Sequence, residues 1–260
     1  MQPIRVITAI LAGLCVLGAC SIKEGRRECP CWVEVYLSEC RPHTDLVQMV
    51  WWEEGGRSSA AVAAVSDDIY LREMPRSRIG YSAWCGVSAL TKATALALVI
   101  PEGEQADPVL SYSAELDARC ESVRDTIRLR KQYCRVTMRF TEASLMGDPE
   151  ATVTVKGHWN GWTLGDWDPL RGAFRCAADR ISGLEWTVMV PRQGDDSLEL
   201  EAFAPGVSGT LPLGVFLAAA GYDWGAYNLP DVVLDIDWVA WKIMITVQEW
   251  GNGFSREYLI

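Results

Sequence analysis

Alternation of apolar and polar residues runs through most of this chain. In residues 32–37, Val33, Val35 and Leu37 fall on one face, and Trp32, Glu34 and Tyr36 on the other. A period of two is the pattern of a strand with one buried face. Apolar runs at 46–52, 60–65, 69–74, 79–84 and 95–100 read as further strands. Turn-forming stretches separate them, such as Glu53-Glu54-Gly55-Gly56-Arg57 and Asp67-Asp68. Residues 133–140 alternate clearly, with Cys134, Val136, Met138 and Phe140 on one face. Beyond a loop at 141–150, strands are expected at 151–155, 181–190, 198–203 and 213–217. Residues 231–241 and 241–247 read as a closing hairpin, with Asp231, Asp235 and Asp237 on its solvent side. One segment, 114–128, reads as a helix, although its apolar spacing is poor, and 127–131 reads as an edge strand. Short strands at intervals of roughly 8–14 residues, with no fixed repeat, predict an all-β chain. The expected architecture is two antiparallel β-sandwich domains, residues 31–145 and 146–260.

The start of the chain has a different pattern. One basic residue, Arg5, precedes an apolar run over 6–17, too short to span a bilayer. This is the layout of a secretory signal peptide. It ends in Leu17-Gly18-Ala19-Cys20, a leucine and two small residues before a cysteine, which is the lipobox pattern of bacterial lipoproteins. Residues 1–19 are therefore expected to be removed and Cys20 to carry the lipid, with 20–30 as a polar tether. Several acyl chains on one cysteine give stable anchoring, where one chain would be marginal. Residue 21 is Ser rather than Asp, which favours an outer-membrane, surface location in bacteria with two membranes.

Charge narrows the partners. The net charge of −10 provides no basic footprint for nucleic acid. Nine cysteines become seven once Cys15 leaves with the signal peptide and Cys20 is lipidated. Export permits disulfides, and an odd number leaves at least one thiol unpaired within the chain. Cys120 and Cys134 flank a short charged segment and are one candidate pair. Cys29-Pro30-Cys31 has the wrong spacing for a redox or zinc C-x-x-C. With His43 and His158 the only histidines and no nucleophile, phosphate or metalloprotease motif, no catalytic site, metal or cofactor is expected.

Twelve tryptophans are many for this length. Three of them, Trp159, Trp162 and Trp167, sit in the loop-like stretch 158–168 beside Asn160, Asp166 and Asp168. Indole faces stack on sugar rings, so these three form a candidate glycan platform. The weightier expectation is that they pack between sheets, as Trp32, Trp84, Trp186, Trp238, Trp241 and Trp250 would from in or beside strands.

Both ends of the chain resemble a known family. Cys20-Ser21-Ile22-Lys23-Glu24 followed by Cys29-Pro30-Cys31-Trp32 is similar to the start of the FimB/Mfa-type anchor or minor-subunit family of fimbrillin-related lipoproteins. Leu234-Asp235-Ile236-Asp237 and Ile243-Met244-Ile245-Thr246-Val247-Gln248-Glu249-Trp250 are similar to fimbrillin closing strands. The resemblance implies transthyretin-like sandwiches, a place in a type V pilus, and fimbrillin-type subunits as partners. It also implies assembly by strand exchange: a polymerising subunit loses its N-terminal strand to an arginine-specific protease, and another subunit's strand fills the groove. An anchor keeps both its lipid and its own first strand. Here the basic pair Arg26-Arg27 precedes the first strand, so cutting there would release the tether without opening a groove.

Overall fold

The computed structural model describes residues 29–94, 96–240 and 242–248, and the backbone of 255–259. The signal peptide, Cys20, Arg26-Arg27, Trp241 and Trp250 lie outside the described residues.

The first part of the chain supplies β1 (Cys31–Tyr36), β2 (Leu46–Glu53), β3 (Ser58–Ala64), β4 (Ile69–Met74) and β5 (Arg78–Cys85). After these come β6 (Lys92–Ala93), β7 (Ala97–Val99), β8 (Leu110–Asp117), β9 (Ser122–Thr126) and β10 (Arg130–Lys131). A three-stranded sheet, β4-β1-β9, faces a five-stranded sheet, β10-β8-β5-β2-β3. The alternate residues of β1 and the inner faces of β2 and β5 close one apolar core around Trp51 and Tyr81. Those two rings stack at 4.5 Å between centroids.

The rest supplies β11 (Tyr133–Phe140), β12 (Thr152–Thr163), β13 (Pro169–Ala177), β14 (Asp179–Arg180) and β15 (Glu185–Pro191). It continues with β16 (Glu199–Ala204), β17 (Val207–Leu211), α1 (Leu213–Ala219), β18 (Asp231–Asp237), β19 (Lys242–Gln248) and β20 (Ser255–Leu259). The sheet β14-β15-β11-β18-β19-β20 packs on β17-β16-β12-β7-β6, with β13 paired to β12. A second, larger core fills the space between them. The two cores do not divide the chain at one point. β6 and β7 leave the first sandwich and join the second through β12. Gly161 permits that approach, because a Cβ there would lie 2.1 Å from the Leu98 carbonyl oxygen.

The chain is all-β, as the alternation predicts, and the closing hairpin forms in register from Asp231↔Gln248 to Asp237↔Lys242. Three local expectations are corrected. Residues 114–128 are not a helix: they are the end of β8, a turn and β9, whose Ser122–Thr126 is held by pairing to β1. Long-range pairing there overrides the helix preference of the Ala, Glu and Arg side chains. Residues 213–217 are not a strand but belong to α1, with Leu213, Gly214 and Leu217 buried one turn apart. A short apolar run carries no period that separates the two. Residues 158–163 are not loop but the end of the twelve-residue β12.

Candidate functional site

The most distinctive local arrangement is the seat of β1. Its sequence, Cys-Trp-Val-Glu-Val-Tyr, puts Cys31, Val33 and Val35 inward, and Leu37 follows them into the core. All four are fully buried. On one flank β1 runs antiparallel to β4, from Cys31↔Met74 to Tyr36↔Ile69. On the other it runs parallel to β9, from Trp32↔Ser122 to Tyr36↔Thr126. Hydrogen bonds extend the ladder at both ends: the Trp32 amide donates to Glu121 O at 2.9 Å, and the Leu37 amide to Asp68 O at 2.8 Å. On the outer face Arg124 donates to Glu34 at 2.7 Å. The first strand of the described residues thus lies as the middle strand of its sheet. Without it, the backbone edges of β4 and β9 and a row of apolar pockets would stand open.

The wall of that groove is polar at one point. Asp125 on β9 accepts from the Tyr81 hydroxyl at 2.8 Å and from the Tyr112 hydroxyl at 3.0 Å. Burial pushes Tyr81 well above its ordinary value, and the Asp125 charge adds to this. Tyr112 is pushed up to about 12, again by burial first and Asp125 second. Both phenols therefore stay protonated donors at neutral pH, and the carboxylate is satisfied without a cation.

Of the candidate glycan residues, Trp162 and Trp167 are fully buried. The Trp162 Nε1–H donates to Gln132 O at 3.1 Å, and the Trp167 Nε1–H to Tyr112 O at 3.2 Å. Trp167 also meets Trp84 edge to face, with centroids 6.0 Å apart. These rings join the two cores and offer no stacking face to solvent. Trp159, on β12, is half-buried and packs on Gly194, where a Cβ would lie 2.7 Å from the ring. Cys120 and Cys134 are not brought together: Cys120 is exposed beside the start of β1, while Cys134 is buried in the second core. Among the described residues, no group of three or more His, Cys, Asp or Glu side chains could hold a metal ion. No helix among them is long and apolar enough to cross a membrane.

Sequence reasoning misses a buried ionic joint. Lys131 is almost fully buried, and its ammonium donates to Asp231, whose carboxylate also accepts from the Arg135 amide at 2.7 Å. Nearby, the Arg192 guanidinium donates to Gln132 Oε1 at 2.8 Å and to Ala226 O at 2.9 Å. Burial pulls Arg192 down to about 10, so it remains charged at neutral pH. The helpful signal was the placement of Lys131 at the end of an edge strand that runs directly into a fully alternating one.

No protein-family model matches the sequence, and no curated protein matches it. Solved structures do match. The fimbrial anchor protein Mfa2 from Porphyromonas gingivalis aligns over 87% of this chain and 99% of its own, with a TM-score of 0.61 and 11% identity. The chain shares the fold of a fimbrial anchor. A candidate polysaccharide-binding protein from Bacteroides thetaiotaomicron aligns over 88% of this chain and 98% of its own, with a TM-score of 0.62 and 13% identity. A candidate adhesin from Bacteroides ovatus aligns over 92% and 97%, with a TM-score of 0.60 and 9% identity. The likeness in fold spans nearly the whole chain, whereas the sequence resemblance touched only its ends.

Proposed function

We propose that this protein is a non-enzymatic accessory subunit of a surface fimbrium, an anchor or minor subunit acting in cell adhesion. In this reading it is held in the outer membrane by the lipid on Cys20 and docks fimbrillin-type subunits by strand exchange. One observation carries the proposal: in a fold shared with a fimbrial anchor, β1 fills its own groove. A subunit so filled has no vacancy for a partner's strand at that position, which suits the end of a fibre rather than its repeat. Docking then falls to a free edge. Among the described residues, β20 is the outermost strand of its sheet, paired on one side to β19 from Met244↔Leu259 to Gln248↔Ser255. An outer edge presents unpaired backbone groups, and added strands gain affinity from those hydrogen bonds and register from alternating side chains.

Affinity isolation from native membranes, followed by mass spectrometry of bait and companions, tests this. The expected result is a bait acylated on Cys20, retaining residues 31–36, in a heat-resistant complex with fimbrillin-type subunits. A lipidated bait that brings down no such subunit would sink the fimbrial assignment.

A further inference from the structure

Two thiols meet where β1 begins. Cys31 is the first residue of the strand and is fully buried. Cys120 lies in the turn between β8 and β9 and is exposed. Trp32 pairs with Ser122, and the Trp32 amide donates to Glu121 O at 2.9 Å. Carrying that parallel ladder back one step sets Cys31 beside Glu121, with Cys120 next along the chain. A one-residue offset across strands about 4.8 Å apart falls inside the Cα separation of about 4.4–6.8 Å that a disulfide spans. Cys120 lies near enough to Cys31 to help push its thiol up, after burial. The Cys120 Sγ–H also points at Ser122 O, 3.0 Å away, on the strand that flanks β1.

We infer that Cys31 and Cys120 form a disulfide that fastens β1 into its groove. The chemistry needs an external disulfide, small-molecule or protein, as the oxidant. The exposed Cys120 thiolate attacks one of its sulfurs, forming a mixed disulfide and releasing one thiolate. Cys31 then attacks the Cys120 sulfur and releases the second. Two protein thiols become one S–S bond, the external disulfide becomes two thiols, and the two protons pass to the leaving groups. The order follows from access, because burial pushes the Cys31 thiol up and keeps it from attacking first. Once closed, the bond ties the strand to the wall that holds it, so a cut on the N-terminal side of β1 cannot free the strand. That consequence rests on the reading of β1 as a self-filling strand; the bond itself does not.

Three thiols lie close along this stretch of chain, Cys29, Cys31 and Cys40, so the test must name the partner. Reduced full-length protein is incubated with glutathione disulfide, quenched, alkylated and digested with trypsin without reductant. The 120–124 peptide is expected to run cross-linked to the peptide that carries Cys29, Cys31 and Cys40, with fragment ions placing the bond on Cys31, and to be released by reduction. The variant Cys29→Ser should keep the cross-link and Cys120→Ser should lose it; both positions are exposed, so neither change disturbs the core. Free alkylated Cys120, a bond placed on Cys40, or a cross-link that disappears in Cys29→Ser overturns the clasp and leaves the fimbrial reading standing. A mapped Cys31–Cys120 bond in a protein that joins no fimbrial complex does the reverse.

Discussion

Asp231 illustrates how a side chain can sit on the outward face of a strand and still serve the interior. Its carboxylate is the counter-charge of Lys131, which is 1% exposed, and it also caps the Arg135 amide. Asp231→Asn keeps the shape but leaves a buried ammonium without a partner charge. Removing one member of a buried pair costs about 3–5 kcal/mol, and because Asp231 is 30% exposed the expected loss is near the lower end. Urea denaturation measures it; a change below about 0.5 kcal/mol, as for an ordinary surface site, contradicts the assignment. The same density of packing sets an alkaline limit. Burial pushes the thiols of Cys134 and Cys176 up to about 12, and Tyr81 higher still. In the unfolded chain these thiols titrate near 9.0, so the unfolded state sheds protons first. Stability is therefore intact below about pH 9 and falls as pH rises from there toward 12. In reductant, the urea midpoint should be level from pH 7 to about 8.5 and decline beyond it; a midpoint unchanged at pH 11 contradicts this. The alternation at 133–140 places Cys134 in the core from sequence alone. It could not pair Lys131 with Asp231, one hundred residues apart, and it assigned Asp231 to solvent.

At the scale of elements, β1 contributes more than its six residues suggest. Fully burying each of Val33, Val35 and Leu37 stabilises by about 1.5–3 kcal/mol, so the strand's share is on the order of a small domain's net stability. A chain lacking residues 1–37 should lose the cooperative unfolding of the first sandwich. A peptide copying 29–38, added in excess, should restore its resistance to proteolysis. A truncated chain as resistant as the intact one would show that the groove does not need this strand. β1 was legible because its alternation is complete and its inward positions include the β-branched Val33 and Val35. The helix expected at 114–128 failed because β9 exists only through its pairing with β1, a contact that no local pattern reports. α1 was missed for the opposite reason: Leu213–Ala219 is apolar nearly all round, which erases the difference between the two periods.

Across the whole molecule, the two sandwiches are joined by side chains as well as by the chain. Trp162 and Trp167 each donate to a backbone carbonyl, and Gly165 donates its amide to Ser82 Oγ at 2.8 Å, from β12 and the turn after it. Trp162→Phe keeps most of the apolar volume but removes one of two donors to the Gln132 carbonyl, which keeps the Arg192 amide at 3.1 Å, so the expected cost is that of one hydrogen bond, about 0.5–1.5 kcal/mol. Paired melting curves of wild type and variant would check it, and an unchanged melting temperature would contradict it. The lesser reading of the tryptophan cluster at 158–168 as a surface platform came from a sequence rich in Asn, Gly and Asp; those residues serve a bulged strand and its turn. The all-β class and the closing hairpin could be read directly. The migration of β6 and β7 into the second sandwich could not, since it depends on close approach at Gly161. The central claim is that the chain fills its own first groove both alone and within its assembly. Amide hydrogen exchange over residues 31–37, compared between the isolated protein and the native complex, tests it most directly. The account predicts slow exchange of the same amides in both. Rapid exchange in the isolated protein, or loss of this segment from the assembled one, would contradict it.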